Sequence, residues 1–147
     1  MNPEIIEGRD DYGFAGIPPV RILACAREIH IAEKLHALTM PRTRPNSRVK
    51  DLPDLALLAL TGPFESTAIT RAIEVTFVHR VTHPVPGEIP APPPAWEVPY
   101  LRMVQVDGLR WATLADVTDA VRAFLNPVLR GDGGVWSPDR WSWDLAP

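Results

Sequence analysis

The chain of 147 residues is long enough for one domain with a core of its own. Its 46% apolar and 22% charged residues are ordinary for a globular protein, and a formal charge of −3 excludes a broad electrostatic attraction for nucleic acid. A single cysteine, Cys25, excludes an internal disulfide, and no apolar run approaches the length of a membrane span. The acidic N-terminus does not have the pattern of a signal peptide, so the expected location is the cytoplasm, with no membrane association. Proline is the outlier, with 17 residues against a usual share of about 5%. Many of them fall between Pro84 and Pro99, which describes a local connector rather than global disorder.

Met1 to Asp11 is polar, and Tyr12-Gly-Phe-Ala-Gly-Ile-Pro-Pro19 is a turn-rich lead-in. Val20 to Ala26 is apolar and partly β-branched, which suits a short strand, with Cys25 as a packing residue. Glu28 to about Met40 has helical spacing, with Ile31, Leu35 and Leu38 as its apolar stripe. Lys34 falls at the edge of that stripe, one turn from His30. Either its stem covers apolar surface while the ammonium stays in water, or the ammonium reaches into a cleft.

Pro41 to Ser47 breaks this helix, and a second begins near Asp51. With Asp51 as N-cap, Pro53 falls in the first turn, where its missing N–H costs nothing, and Asp54 lies near the positive end of the dipole. Asp54 is also one turn from Leu58, beside an apolar face, where a carboxylate needs a partner such as Lys34, an arginine or a metal ion. Capping and chemistry therefore both remain open for the two aspartates. Arg42, Arg44, Arg48 and Lys50 are either a local basic patch for RNA or the scattered charges of a solvated loop.

Phe64 to about Val81 is expected as a third helix, led in by Gly62-Pro63 and capped by Ser66, with Ile69, Ile73 and Phe77 inward. His79 and His83 have a spacing that can hold a metal on a helix. They straddle the helix end with no third ligand near, so no metal site is expected. Pro84 to Pro99 reads as a stiff connector, polyproline-like at Pro90-Ala-Pro-Pro-Pro94 and anchored by Trp96 and Tyr100. Thr113 to Leu125 is the last helix, with Thr113 and Asp116 resembling a capping box, Val117, Val121 and Phe124 inward, and Asn126-Pro127 ending it. Asp116 and Asp119 read as complements to the dipole in its first turn. Trp136, Trp141 and Trp143 are too costly to leave in water, so the tail should dock on the helices.

These elements describe a mostly α chain: about four helices, one short strand near the N-terminus and a Pro-rich connector. The expected organisation is a single helical domain over 1–147. Within it, 1–26 form the lead-in and strand, 27–83 the core helices, 84–112 the connector, and 113–147 the last helix and Trp-rich tail.

Glu28-Ile-His-Ile-Ala-Glu-Lys-Leu-His-Ala-Leu38 followed by Asn46-Ser-Arg-Val-Lys-Asp-Leu-Pro-Asp-Leu55 resembles the AbiEii/AbiGii nucleotidyltransferase toxins. Weaker agreement runs from about Tyr12 to Trp143. The resemblance implies a nucleotidyltransferase-like fold of which this chain is the C-terminal helical part. It also implies a bacterial toxin–antitoxin or phage-defence role, with nucleotides transferred from an NTP, with Mg²⁺, to an RNA such as tRNA. Lys34 then matches the lysine on the nucleotide phosphates, and Asp51, or second to it Asp54, matches the late acidic residue of the active site. The family's Gly-Ser element and Asp-x-Asp pair, which hold triphosphate and Mg²⁺, have no counterpart anywhere in this sequence. The expectation is an incomplete active site, unable to catalyse alone. Its expected partners are an antitoxin or a separate N-terminal half, with a homo-oligomer as an alternative.

Overall fold

A computed structural model describes residues 26–41 and 48–144. The expected strand over Val20–Ala26, Cys25, and the basic residues Arg42 and Arg44 lie outside the described residues, except Ala26, which begins a helix. The described residues form five α-helices: α1 (Ala26–Thr39), α2 (Asp51–Ala59), α3 (Ser66–Arg80), α4 (Glu97–Asp107) and α5 (Leu114–Leu129). Three short strands, β1 (Phe64–Glu65), β2 (Val135–Ser137) and β3 (Ser142–Asp144), make an antiparallel sheet in the order β1-β2-β3. Its register pairs Phe64 with Trp136, and Trp136 with Trp143. The mostly α expectation holds, with one more helix and a small sheet that was not expected.

Helical periodicity explains the core. Ile31 and Leu35 of α1, Ile69, Ile73 and Phe77 of α3, and Val117, Val121 and Phe124 of α5 are all buried, whereas Leu38 is partly covered. α1 packs on α2 and α3, and α5 packs across α2 and α3. Glu28 is buried in the first turn of α1, and its Oε1 is the one buried side-chain N or O atom among the described residues without a hydrogen-bond partner. The positive end of the α1 dipole is the favourable element in its surroundings.

Three expected helix ends are corrected. Phe64 and Glu65 pair with β2 as β1, so α3 starts at Ser66, whose hydroxyl makes no cap. Asp51 is likewise the first residue of α2 rather than its N-cap; Lys50 occupies that position with no side-chain cap. Pro127 does not end α5, which continues to Leu129. The helix stops where Gly131 takes φ 87°, Gly131 N–H bonds Val128 O at 3.0 Å, and Asp132 N–H bonds Pro127 O at 2.9 Å. That Schellman geometry satisfies the last carbonyls and needs the left-handed residue that glycine supplies. The Thr113 cap does form, its hydroxyl accepting from the Asp116 N–H at 3.0 Å. Only Asp116 belongs to the first turn; Asp119 is a turn further on.

The connector contains the unexpected α4. Only Tyr100 of this helix is buried, so its apolar stripe is too weak to read. Its punctuation was legible: Pro99 in the first turn and Gly108 at its end, with φ 64°. Before α4 the connector is pinned at Ile89, whose N–H donates to Asn126 Oδ1 at 2.8 Å and whose carbonyl accepts from Arg122 Nε at 3.1 Å. Trp96 and Tyr100 do anchor it, at 4% and 0% exposure.

The tail docks as expected, and its means is a hairpin. Trp136 is fully buried beside Phe124, with ring centroids 4.9 Å apart, and donates through Nε1 to Ala59 O at 2.9 Å. Trp141 and Trp143 donate to Ala120 O and Phe124 O of α5 at 3.0 and 2.8 Å. Trp136 buries its ring and Trp141 and Trp143 bury part of theirs while each N–H finds a helix carbonyl, the condition under which tryptophan burial is favourable.

Trp136→Ala should lose about 3–5 kcal/mol of stability, whereas truncating exposed Val78 should change it by less than about 0.5 kcal/mol. Denaturant unfolding of both variants measures the contrast. Burial, reinforced by the Asp116 charge, pushes the Tyr100 hydroxyl up to about 12, and that hydroxyl donates to Trp111 O at 2.7 Å. Because the folded value lies above the unfolded one of about 10, its contribution is intact below about 10 and disappears as pH rises towards 12. The phenolate absorbance removed by Tyr100→Phe should therefore appear only near the upper end of that window.

Candidate functional site

The arrangement is set by two local periodicities. On α1, Lys34 falls beside the buried Leu35 and off the core stripe, so its stem lies along apolar surface and its head emerges between α1 and α2. A short 3₁₀ turn over Arg48–Lys50 runs directly into α2, which places Arg48, Asp51 and Asp54 three residues apart on one side. The crossing of α1 and α2 then brings the lysine over both carboxylates.

Lys34 Nζ donates to Asp54 Oδ2 at 2.8 Å and lies 3.8 Å from Asp51 Oδ1. Asp51 is buried, at 2% exposure, and is held from the other side by a fork: Arg48 Nε to Oδ2 at 2.9 Å and Arg48 Nη2 to Oδ1 at 3.3 Å. A two-pronged charge-assisted pair fixes the carboxylate plane as well as its charge. Asp51 is therefore an anchor beneath the lysine, and Asp54, the more exposed of the two, faces outward with it.

Asp54 and Leu57 form a wall between two surface grooves. One, of about 270 Å³, is lined by His30, Lys34 and Thr61; the other, of about 390 Å³, by Lys50, Met103, Asp107, Leu109 and Arg110. The second groove requires α4 and the turn after it, so its Met103 and Arg110 were not readable as site residues from the sequence. The three residues expected at the site, Lys34, Asp51 and Asp54, are brought together. Of the expected basic patch, Arg48 turns its guanidinium onto Asp51, and Lys50 is exposed on a groove rim. Among the described residues, no group of three or more His, Cys, Asp or Glu side chains could hold a metal ion. His79 and His83 form no site together: His79 is exposed in the last turn of α3, and His83 packs against His36.

The class of protein is thus a helical one, with a lysine set between an anchored and an outward-facing carboxylate as its candidate site. Residues 3–139 match the model of the family described as the nucleotidyl transferase AbiEii toxin of a type IV toxin–antitoxin system. The chain belongs to the AbiEii nucleotidyl transferase toxin family, as the Lys34 and Asp51–Asp54 segments suggested. No curated protein and no solved structure matches it. No helix among the described residues is long and apolar enough to cross a membrane.

Removing the anchor should cost more than removing the outward partner. Asp51→Ala, which removes a partner from Arg48 and another from Lys34, is expected to destabilise by about 1–3 kcal/mol. Asp54→Ala should cost less than about 1 kcal/mol, since its pair with Lys34 is partly solvated. Urea midpoints of the two variants give the order.

Proposed function

We propose that the chain carries the lysine–carboxylate part of a nucleotidyl transfer site in a toxin–antitoxin system, acting on an NTP and an RNA acceptor such as tRNA. The observation that carries this reading is the Lys34 ammonium, presented to a groove and aligned by Asp54 in a chain of this family. An ammonium so placed neutralises charge on a triphosphate as its α-phosphorus is attacked. Asp54 orients that ammonium or accepts a proton at the same edge of the groove, while Asp51 and Arg48 hold the arrangement in place. Mg²⁺ does not fit here. Asp51 and Asp54 are the carboxylates at this site, both already engaged by cations, so no step is assigned to a metal at these residues. Metal and triphosphate ligands would come from groups outside the described residues or from a partner chain, since the sequence has no Gly-Ser step and no Asp-x-Asp pair.

Incubated alone with Mg²⁺, labelled NTPs and tRNA, the chain should transfer no nucleotide; robust transfer would refute the incomplete site. Titration calorimetry should still detect NTP binding, weakened about tenfold or more by Lys34→Ala, the size expected for one lost charge-assisted contact. Equal binding by both would remove Lys34 from the site.

A second reading, a non-catalytic module that associates with an antitoxin or partner subunit, is favoured by the outer face of α3. Val75 and Val78 there and Val81 at its C-cap are 63%, 75% and 82% exposed, and a row of exposed apolar side chains favours association. Sedimentation as a clean monomer, with no partner recovered, would count against it.

A further inference from the structure

The ends of α1 and α3 meet in a cluster that the nucleotide reading does not use. α3 stops at Val81, which takes the left-handed conformation (φ 51°, ψ 42°) at the C-cap. Glycine or asparagine normally fills such a position; a β-branched residue is strained there. Val81 is also highly exposed, so no packing of its own side chain accounts for the strain. What the turn achieves is to bring Thr82 and His83 back onto the end of α1.

The hydrogen bonds there have one consistent direction. The Thr39 hydroxyl donates to Leu35 O of its own helix at 2.9 Å, so its oxygen accepts from His83 Nε2–H, also at 2.9 Å. A neutral His83 with its proton on Nε2 has Nδ1 free to accept, and the Thr82 hydroxyl donates to it at 2.9 Å. The Thr82 oxygen then accepts from His36 Nε2–H at 2.7 Å. The two imidazoles lie 4.8 Å apart, with the Phe77 ring edge-on to each at 5.0 and 5.1 Å. Every donor is used, and the chain runs from His36 through Thr82, His83 and Thr39 to Leu35 O.

We infer that this cluster is a neutral-imidazole clasp that holds α3 to α1 against the strain at Val81 and opens when His83 gains a proton, a charge on His36, whose ring centroid is 4.8 Å away, adding repulsion. A proton on His83 Nδ1 replaces an acceptor with a donor, so Thr82 faces donors from both rings and its own hydroxyl loses its acceptor. The charged groups around the cluster do not offset this. Arg80 of α3 opposes a charge on His36, His83 opposes it too, and among the described residues Glu33 of α1 alone favours it, while Glu33 is itself paired with Arg80. Burial is the largest cause lowering the His36 value and lowers that of His83. Both folded values lie below the ordinary imidazole value of about 6.5, so the unfolded chain binds more protons as pH falls through that window. The clasp is complete above about 6.5 and is lost as pH falls towards the lowered values.

Imidazole nitrogen shifts of the full chain test the assignment directly. Both rings should be neutral Nε2–H tautomers at about pH 7.5; a neutral Nδ1–H His83 would overturn the clasp. Protection of the Val81 amide, which donates to Phe77 O at 3.0 Å, is the readout of opening. Corrected for intrinsic exchange, it should hold above about pH 6.5 and be lost as pH falls below it in the wild type. His83→Gln keeps a donor for Thr39 and cannot titrate in this range, so the loss should shrink in it and vanish in the double variant with His36→Gln. The remaining histidines, His30 and His79, supply the control: His30→Gln and His79→Gln should leave the profile unchanged. Val81→Gly should shift the opening to lower pH by removing the strain. An unaltered profile in the double variant, or one abolished by His79→Gln, would overturn the inference.

Discussion

A buried carboxylate determines how the first two helices meet. Asp51 is 2% exposed, and an ionised carboxylate taken out of water without partners is too costly to persist. Arg48 meets that requirement locally, through the fork across one 3₁₀ turn, and Lys34 meets it from across the helix interface. The site geometry follows from this need for countercharge. With Asp51 engaged from two directions, the shortest contact left to Lys34 is Asp54, which sets the lysine at the wall between the two grooves.

The same principle operates without charge at the other side of α2. Ala59 O belongs to the unsatisfied carbonyls at the C-terminal end of a helix, and Trp136 Nε1–H satisfies it. The hairpin carrying Trp136 also donates twice to α5, so the end of α2, the strand β1 and the last helix are tied through aromatic rings with polar edges. This side of the molecule is rigidly specified by packing. The Lys34 side instead carries the paired charges and opens onto the two grooves.

Legibility divides along a physical line. The inward faces of α1, α3 and α5 were readable because burial on a helix leaves a 3.6-residue period in the sequence. Residues Lys34, Asp51 and Asp54 were readable as candidates because charge beside an apolar stripe is conspicuous. Their roles were not. Capping and pairing give the same local sequence, and only the position of Arg48 and the α1–α2 crossing separates an anchored Asp51 from an outward Asp54. Helix α4 was missed because it buries one residue fully, so it lacks a stripe. Pro127 misled because its missing N–H lies within two residues of a helix end already satisfied by the turn at Gly131. For Arg48 the sequence offered a patch residue or a solvated loop charge, and neither reading contained the buried carboxylate that its guanidinium holds.

By itself, the sequence determined the helical class, most inward-facing residues, the docking of the tryptophans and the family, since each leaves a periodic or local pattern. Tertiary structure alone decided the pairing of Phe64 with Trp136, the grooves on either side of Asp54, and the meeting of His36 with His83. The first and last of these join residues more than forty positions apart. They are fixed by how the helices cross and by which buried polar groups find partners there, and no local window of sequence contains that information. For Lys34 the division is sharp: spacing left open a solvated lysine and a lysine facing a cleft, and only the crossing of α1 and α2 places two carboxylates beside its ammonium.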